Sequence, residues 1–163
     1  ARHKTPATTE KRVCAIFIGL DSTISGNADM PASDIQGLFD QRGIIATPQR
    51  VEIAEILFER PQHLSAEQII DRLRDTDSNV SKATVYNSLK LFVEKGLVRE
   101  LTVDPERKFY DSTTHAHHHF YNVDTGELSD ISEEQVELAR LPPLPKGTEC
   151  EGVELMIRIR TRD

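Results

Sequence analysis

The chain reads as an α+β protein, a winged helix-turn-helix followed by a small α/β unit, and three observations carry that expectation. Between residues 34 and 96, four stretches of helical apolar spacing each open on a capping residue. Two β-like runs follow at once, LVRELTV (97–103) and RKFYD (107–111), broken by Asp104-Pro105-Glu106. From Asp111 onward the spacing turns to alternation, in HHHFYNV (117–123), ELSDI (127–131) and CEGVELMIRIRT (150–161).

Taken in order, Ser33 is placed to cap DIQGLFDQR (34–42), which Gly43 stops. Thr47-Pro48 starts TPQRVEIAEILFER (47–60), with proline in its favoured first-turn position and Pro61 beyond the end. Val51, Ala54, Ile56 and Leu57 supply the apolar side of that helix. Ser65 and Gln68 form a capping box that opens a third helix, running through Asp71 to Arg74. Ser81 caps a fourth, KATVYNSLKLFVEKG (82–96), closed by Gly96. Proline in the polar break between the next two runs predicts a hairpin, placed where a wing belongs. Beyond it, Asp124-Thr125-Gly126 predicts a second hairpin. Ser132 is expected to cap a short helix, SEEQVELAR (132–140), LPPLPKG (141–147) is a stiff connector, and residues 150–161 alternate like a strand half-buried on one face.

Composition narrows what such a protein does. The chain has 163 residues and a formal net charge of −7, and residues 111–163 hold 5 basic against 11 acidic groups. An acidic chain is a poor non-specific coat for nucleic acid, because that binding works by neutralising many phosphates. A local basic surface remains compatible with it. The cysteines are Cys14 and Cys150, with no Cys-x-x-Cys, which excludes a cysteine-rich zinc module or disulfide framework and fits a reducing cytoplasm. Val13 to Leu20 (VCAIFIGL) falls short of the ~20 apolar residues a membrane span needs. Behind Lys11-Arg12 it reads as a signal peptide, as an extra strand or helix, or as sequence upstream of a start at Met30.

On the fourth helix Val85, Leu89 and Phe92 form one stripe, while Tyr86, Asn87 and Lys90 project elsewhere. A recognition helix requires that split, an apolar side to dock on its own domain and polar side chains to reach base edges. The DNA-contact candidates are Arg50, Lys82, Thr84, Tyr86, Asn87 and Lys90, with Arg50 and Lys82 suited to phosphate. A solvated face on an ordinary helical domain is the other reading of this helix, and the adjoining wing favours DNA.

Four of the six histidines lie in HAHHH, residues 115–119. On an extended chain His117 and His119 share a face, His118 points away, and His115 can join the first pair. Two imidazoles on one strand are half a metal site, and Asp111 and Asp130 bracket them. Nitrogen and oxygen donors without thiolate suit Zn²⁺, Fe²⁺ or Mn²⁺. A polar, solvent-facing strand is the bland alternative. A His/Asp metallohydrolase is the enzymatic one, but HExxH, P-loop, nucleophile-elbow and dinucleotide motifs are all missing from the sequence.

From about Asp34 to the C-terminus the chain resembles the ferric uptake regulator family of metal-responsive repressors. The stretches that carry the likeness are TPQR (47–50), HLSAEQI (63–69), SKATVYNSL (81–89), FYD (109–111), HHHFY (117–121) and ELSDI. The resemblance implies an N-terminal extension over 1–33, a winged-helix DNA-binding domain over 34–110 and a metal-binding dimerisation domain over 111–163. It implies a regulatory metal held between the domains by His63, Asp111, His117, His119 and Asp130. It also implies a homodimer or tetramer on an AT-rich inverted repeat of double-stranded DNA, control of iron homeostasis genes, and no membrane partner.

The sequence departs from the family pattern at two places. Asn122 and Thr125 stand where many members carry the first Cys-x-x-Cys pair, so a structural zinc held by four cysteines is not expected. Ile45 stands near the place where a basic residue often enters the minor groove. Loss of those cysteines together with HHH looks like the iron-response regulator branch, which implies haem or a second metal at His115 and His118. Members of the peroxide-sensing type share the two aspartates. For that type, Fe²⁺-catalysed oxidation would fall on His63 or His117.

Overall fold

The computed structural model describes residues 34–104 and 107–162. Ser33, Cys14, the 13–20 run and the whole of the expected 1–33 extension lie outside the described residues, as does the turn at Pro105-Glu106.

Helix α1 (Ile35–Arg42) is capped by Asp34, whose carboxylate accepts from the Gly37 amide at 3.0 Å, and ends at Gly43 with φ 61°. That left-handed geometry suits a residue without a Cβ. Helix α2 (Pro48–Phe58) is capped by Thr47 and buries Ile53, Ala54, Leu57 and Phe58. Of the expected apolar side, Ala54 and Leu57 are sealed, but Val51 and Ile56 are only partly covered and Ile53 and Phe58 are buried in their stead. Val51, Ile53, Ala54, Ile56, Leu57 and Phe58 spread apolar side chains most of the way round this helix, so spacing alone left its rotation undetermined. Strand β1 (His63–Ser65) was not expected; it lies between the second and third helices. Its last residue is also the cap of helix α3 (Ala66–Asp75), where both arms of the Ser65–Gln68 capping box are formed. Ser81 caps helix α4 (Lys82–Glu94), and Val85, Leu89 and Phe92 are each 0% exposed.

Strands β2 (Arg99–Asp104) and β3 (Arg107–Asp111) form the wing hairpin, and β1 adds to it in the order β1-β3-β2, all antiparallel. Alternation along these strands sorts the side chains. Leu64 and Tyr110 enter the core under the helices, while His63, Phe109 and Asp111 share the opposite face. Strands β4 (His118–Asn122), β5 (Leu128–Ile131) and β6 (Met156–Ile159) make a second sheet in the order β5-β4-β6, with β6 parallel to β4. The turn before β5 relies on Gly126 at φ 72°, whose amide donates to the Asn122 carbonyl at 2.8 Å.

The two sheets meet through Leu101, Val103 and Phe109 on one side and Tyr121, Leu128 and Met156 on the other. Arg158 clips this contact, donating to the Val103 carbonyl at 2.6 Å and lying 5.6 Å from the centre of the Tyr121 ring.

Two further expectations fail here. The helix over 132–140 is reduced to a single 3-10 turn at Glu133–Gln135. Val136 is half-buried and Leu138 exposed, so that segment has little apolar surface to bury, and an unsupported helix of this length is marginal in water. The alternating C-terminal run forms a strand only over Met156–Ile159, and Ile157 and Ile159 stay exposed rather than half-buried as a row. Among the described residues no helix is long and apolar enough to cross a membrane.

Candidate metal centre

At the polar end of the contact between the sheets, side chains from four strands or strand ends converge. Antiparallel pairing sets His63 opposite Asp111, and the face shared by these two residues looks toward the second sheet. Pairing of β4 with β5 sets His119 opposite Asp130. His117, one residue ahead of β4, points the same way as His119, with ring centres 4.4 Å apart.

Asp130 Oδ1 lies 3.0 Å from His63 Nε2, 3.2 Å from His117 Nε2 and 3.9 Å from His119 Nε2. Asp111 Oδ2 lies 3.6, 3.2 and 3.8 Å from the same three atoms. Its other oxygen, Oδ1, accepts the Thr113 amide at 2.7 Å, which turns Oδ2 toward the imidazoles. The side chains of His63, Asp111, His117 and His119 are no more than 5% exposed, while Asp130, at 42%, forms the open wall.

These contacts are close, yet His63 Nε2, Asp111 Oδ2, His117 Nε2 and His119 Nε2 have no aligned hydrogen-bond partner. The atoms aim at a common point rather than at one another. Buried polar atoms left so are costly, which makes a shared partner the natural account. Donors bonded to one ion at about 2.0–2.2 Å stand about 3.0–3.6 Å apart, close to the spacings seen here. The ligating atoms of His63, Asp111, His117 and His119 all fall within 4.8 Å of one another. The residues therefore fit a divalent transition ion.

Charge follows the same geometry. Burial opposes a proton on His63, but Asp111 and Asp130 outweigh it and push its pKa up to about 9. The same carboxylates push His117 up to about 10, against its burial. Burial of Asp111 and Asp130 is in turn outweighed by the facing imidazoles, and both are held far below the usual carboxylate range. Without an ion, protons neutralise the cluster, and a cation entering it displaces them.

His115 and His118 stand outside the convergent set. His115 is exposed; its ring lies 5.5 Å from that of His117, and its carbonyl accepts from Arg99 at 3.1 Å. His118 is buried, unlike the solvent-facing strand of the alternative reading, and its Nδ1 accepts the Leu155 amide at 3.2 Å. Sequence reasoning missed Arg99 and Glu154, which sit behind the histidines. Neither belongs to a motif, and their partners are distant in the chain.

On α4, Tyr86 is 46% exposed, and Asn87, Lys82 and Lys90 are exposed too. The Tyr86 hydroxyl donates to Glu67 at 2.7 Å, which lowers the Glu67 carboxyl and raises the Tyr86 phenol. Thr84 is half-buried, its hydroxyl 2.9 Å from that of Ser81, and Lys90 pairs with Glu94 at 3.9 Å. Arg50 lies on α2 and donates to the Ile45 carbonyl at 2.7 Å, while the Ile45 side chain is 77% exposed.

Residues 41–157 match the model of the ferric uptake regulator family. The peroxide-responsive repressor PerR of Staphylococcus aureus (strain Mu50) is 36% identical over 102 residues, 62% of this chain and 69% of that protein. The ferric uptake regulator of Pseudomonas aeruginosa, solved with manganese, superposes at a TM-score of 0.61 with 26% identity, over 78% of this chain and 98% of that one. The ferric uptake regulator of Francisella tularensis, solved with iron, shares the fold at a TM-score of 0.60 and 24% identity, over 74% and 93% of the two chains.

Proposed function

The chain belongs to the ferric uptake regulator family, and from that premise we propose that it is a DNA-binding repressor whose halves are clamped by a divalent ion. The observation that carries this reading is the set of buried donor atoms, contributed by both sheets, that lack hydrogen-bond partners. His63, Asp111, His117, His119 and Asp130 offer nitrogen and oxygen only, a set suited to Fe²⁺, Mn²⁺ or Zn²⁺. When bound, the ion supplies the positive charge that protons otherwise provide to the buried carboxylates. His63 belongs to residues 34–110, the DNA-binding domain in this reading. His117, His119 and Asp130 belong to residues 111–163, the dimerisation domain. Only arrangements in which both groups reach the same point are stabilised, so occupancy shifts the population toward one placement of α4. Two copies then hold their helices, with Tyr86 and Asn87 outward, at the spacing of an inverted repeat in cytoplasmic DNA.

A gel-shift series on an AT-rich inverted repeat tests this. Saturable binding that strengthens with Mn²⁺ or Zn²⁺ and is lost with chelator is the expected result. Identical affinity in every lane would overturn the clamp, and absence of binding in every lane would overturn the DNA reading. A haem lane reports on His115 and His118, which lie outside the convergent set.

Peroxide sensing is a second reading, favoured by three imidazoles and two aspartates around one point and by the likeness to the Staphylococcus repressor. Fe²⁺ with hydrogen peroxide should then add one oxygen to His63 or His117, read by peptide mass spectrometry. Unmodified histidines under conditions that release DNA would sink it.

A further inference from the structure

Behind the convergent cluster, on the side away from its centre, lies an arrangement that the five donors do not use. The Nδ1 of His117 is 2.9 Å from the His115 carbonyl oxygen. The Nδ1 of His119, fully buried and without an aligned hydrogen bond, is 3.4 Å from Glu154 Oε1, its only carboxylate neighbour among the described residues. Both acceptors are held by one side chain. Arg99 donates through Nη1 to the His115 carbonyl at 3.1 Å and through Nη2 to Glu154 Oε2 at 3.1 Å.

The chemistry of these partners decides where protons sit. A carbonyl and a carboxylate can only accept, so both partners favour the tautomer that carries the proton on Nδ1. In the neutral ring each Nε2, facing Asp111 and Asp130, is then the atom that carries the lone pair. Arg99 is placed for this by pairing: it stands opposite Asp111 across β2 and β3, so its stem starts at the edge of the cluster. Its planar fork reaches two acceptors at once, which an ammonium at that place would not do with fixed geometry. An ordinary surface ion pair would explain the Arg99–Glu154 contact alone. It would not explain why the second carboxylate oxygen faces a sealed imidazole nitrogen, nor why the other guanidinium arm reaches the acceptor behind the neighbouring ligand.

We infer that Arg99, acting through Glu154 and the His115 carbonyl, is a positioning residue that presents the Nε2 atoms of both His117 and His119 to the ion. The inference rests on the metal reading above. It makes the wing's first strand part of the site, since Arg99 belongs to the wing and Glu154 to the connector before β6. Groups that hold the remaining nitrogen of a metal-bound histidine are typically worth ~10–100-fold in metal affinity.

The test uses the full chain loaded with Zn²⁺, with affinity read by competition against a chelating dye and ring protons read by ¹⁵N-imidazole NMR. In the wild type, the Nδ1–H signals of His117 and His119 should be protected from exchange with water. Arg99→Met should weaken Zn²⁺ binding by ~10–100-fold and expose both signals. Arg99→Lys should recover one of them. Glu154→Ala should expose the His119 signal and spare that of His117, a selectivity that general loosening of the fold would not produce. Glu151→Ala, on the same exposed connector, serves as the unaffected control. Wild-type affinity with both signals protected in Arg99→Met and Glu154→Ala would overturn the inference and leave the metal site standing. A wild-type chain that takes up no Zn²⁺ would remove the metal reading, and this inference with it.

Discussion

Beneath the helices, Phe39, Ile53, Leu57, Ile69, Val85, Leu89 and Phe92 form a continuous hydrocarbon interior sealed from water. The second sheet has no equivalent. Its apolar contacts reduce to Tyr121 and a few partners, half of them lent by the wing, and the other end of its inner face is filled by His117, His119 and Asp130. A hydrocarbon interior responds to temperature and volume but hardly to protons or ions. An interior built of imidazoles and carboxylates is stable only when its charges are balanced, so its geometry is open to control by whatever balances them. Under the proposed function, sensing falls to the second region and the rigid platform to the first.

The strongest way to break that contrast is to damage the platform. Phe92→Ala should cost about 3–5 kcal/mol, equally with and without Mn²⁺, in denaturant unfolding. If added Mn²⁺ restored the loss, the two regions would not be separable in the way described. Next in size, His117→Ala combined with His119→Ala should abolish stabilisation by metal. At ~100-fold excess over Kd the wild type should gain about 2.7 kcal/mol from the ion, and the double variant should show no shift in calorimetry.

Protons sharpen the comparison further. His63 and His117 are raised above their ordinary 6.5, to about 9 and about 10, so their contribution to the metal-free fold is complete below 6.5 and disappears as pH climbs through those values. Asp111 and Asp130 are depressed, so their contribution holds above the ordinary 3.8 and is lost as acid titrates them. Metal-free protein should therefore melt highest between about pH 4 and 6.5 and lose stability steadily toward pH 10. Metal affinity should move the other way, growing as the protons leave. A melting temperature independent of pH from 6.5 to 10 would contradict the buried ionic interior. Smallest of the four, Ser65→Ala should remove ~1 kcal/mol by deleting the α3 cap, with metal stoichiometry unchanged by inductively coupled plasma analysis.

Much of the platform was readable because its signals are local. Thr47-Pro48, Ser65 with Gln68, Ser81 and Gly43 act within a turn of where they stand, and each performs in the structure the role its residue type suggests. The misreadings have a shared cause. Strand β1 is three residues long and exists because β3 offers it partners. The helix expected over 132–140 is absent because no neighbouring surface buries Val136 and Leu138, a condition that periodicity does not contain. Rotation of α2 depended on which of Ile53 and Ile56 met the core, and that choice was made by α3 and α4.

The candidate site divides along the same line. Donor types, the His117/His119 alternation and the lack of thiolate are properties of the chain itself, since covalent geometry sends every second side chain of a strand to one face. That His63, far upstream of Asp111, shares their centre was decided by register between β1 and β3. That Asp130 faces His119, and that Arg99 and Glu154 stand behind the rings, was likewise decided by strand pairing and contact between the sheets. Local preferences act over a few bonds and are written in residue type; convergence of distant donors is a property of packing, which exists only once the sheets have met.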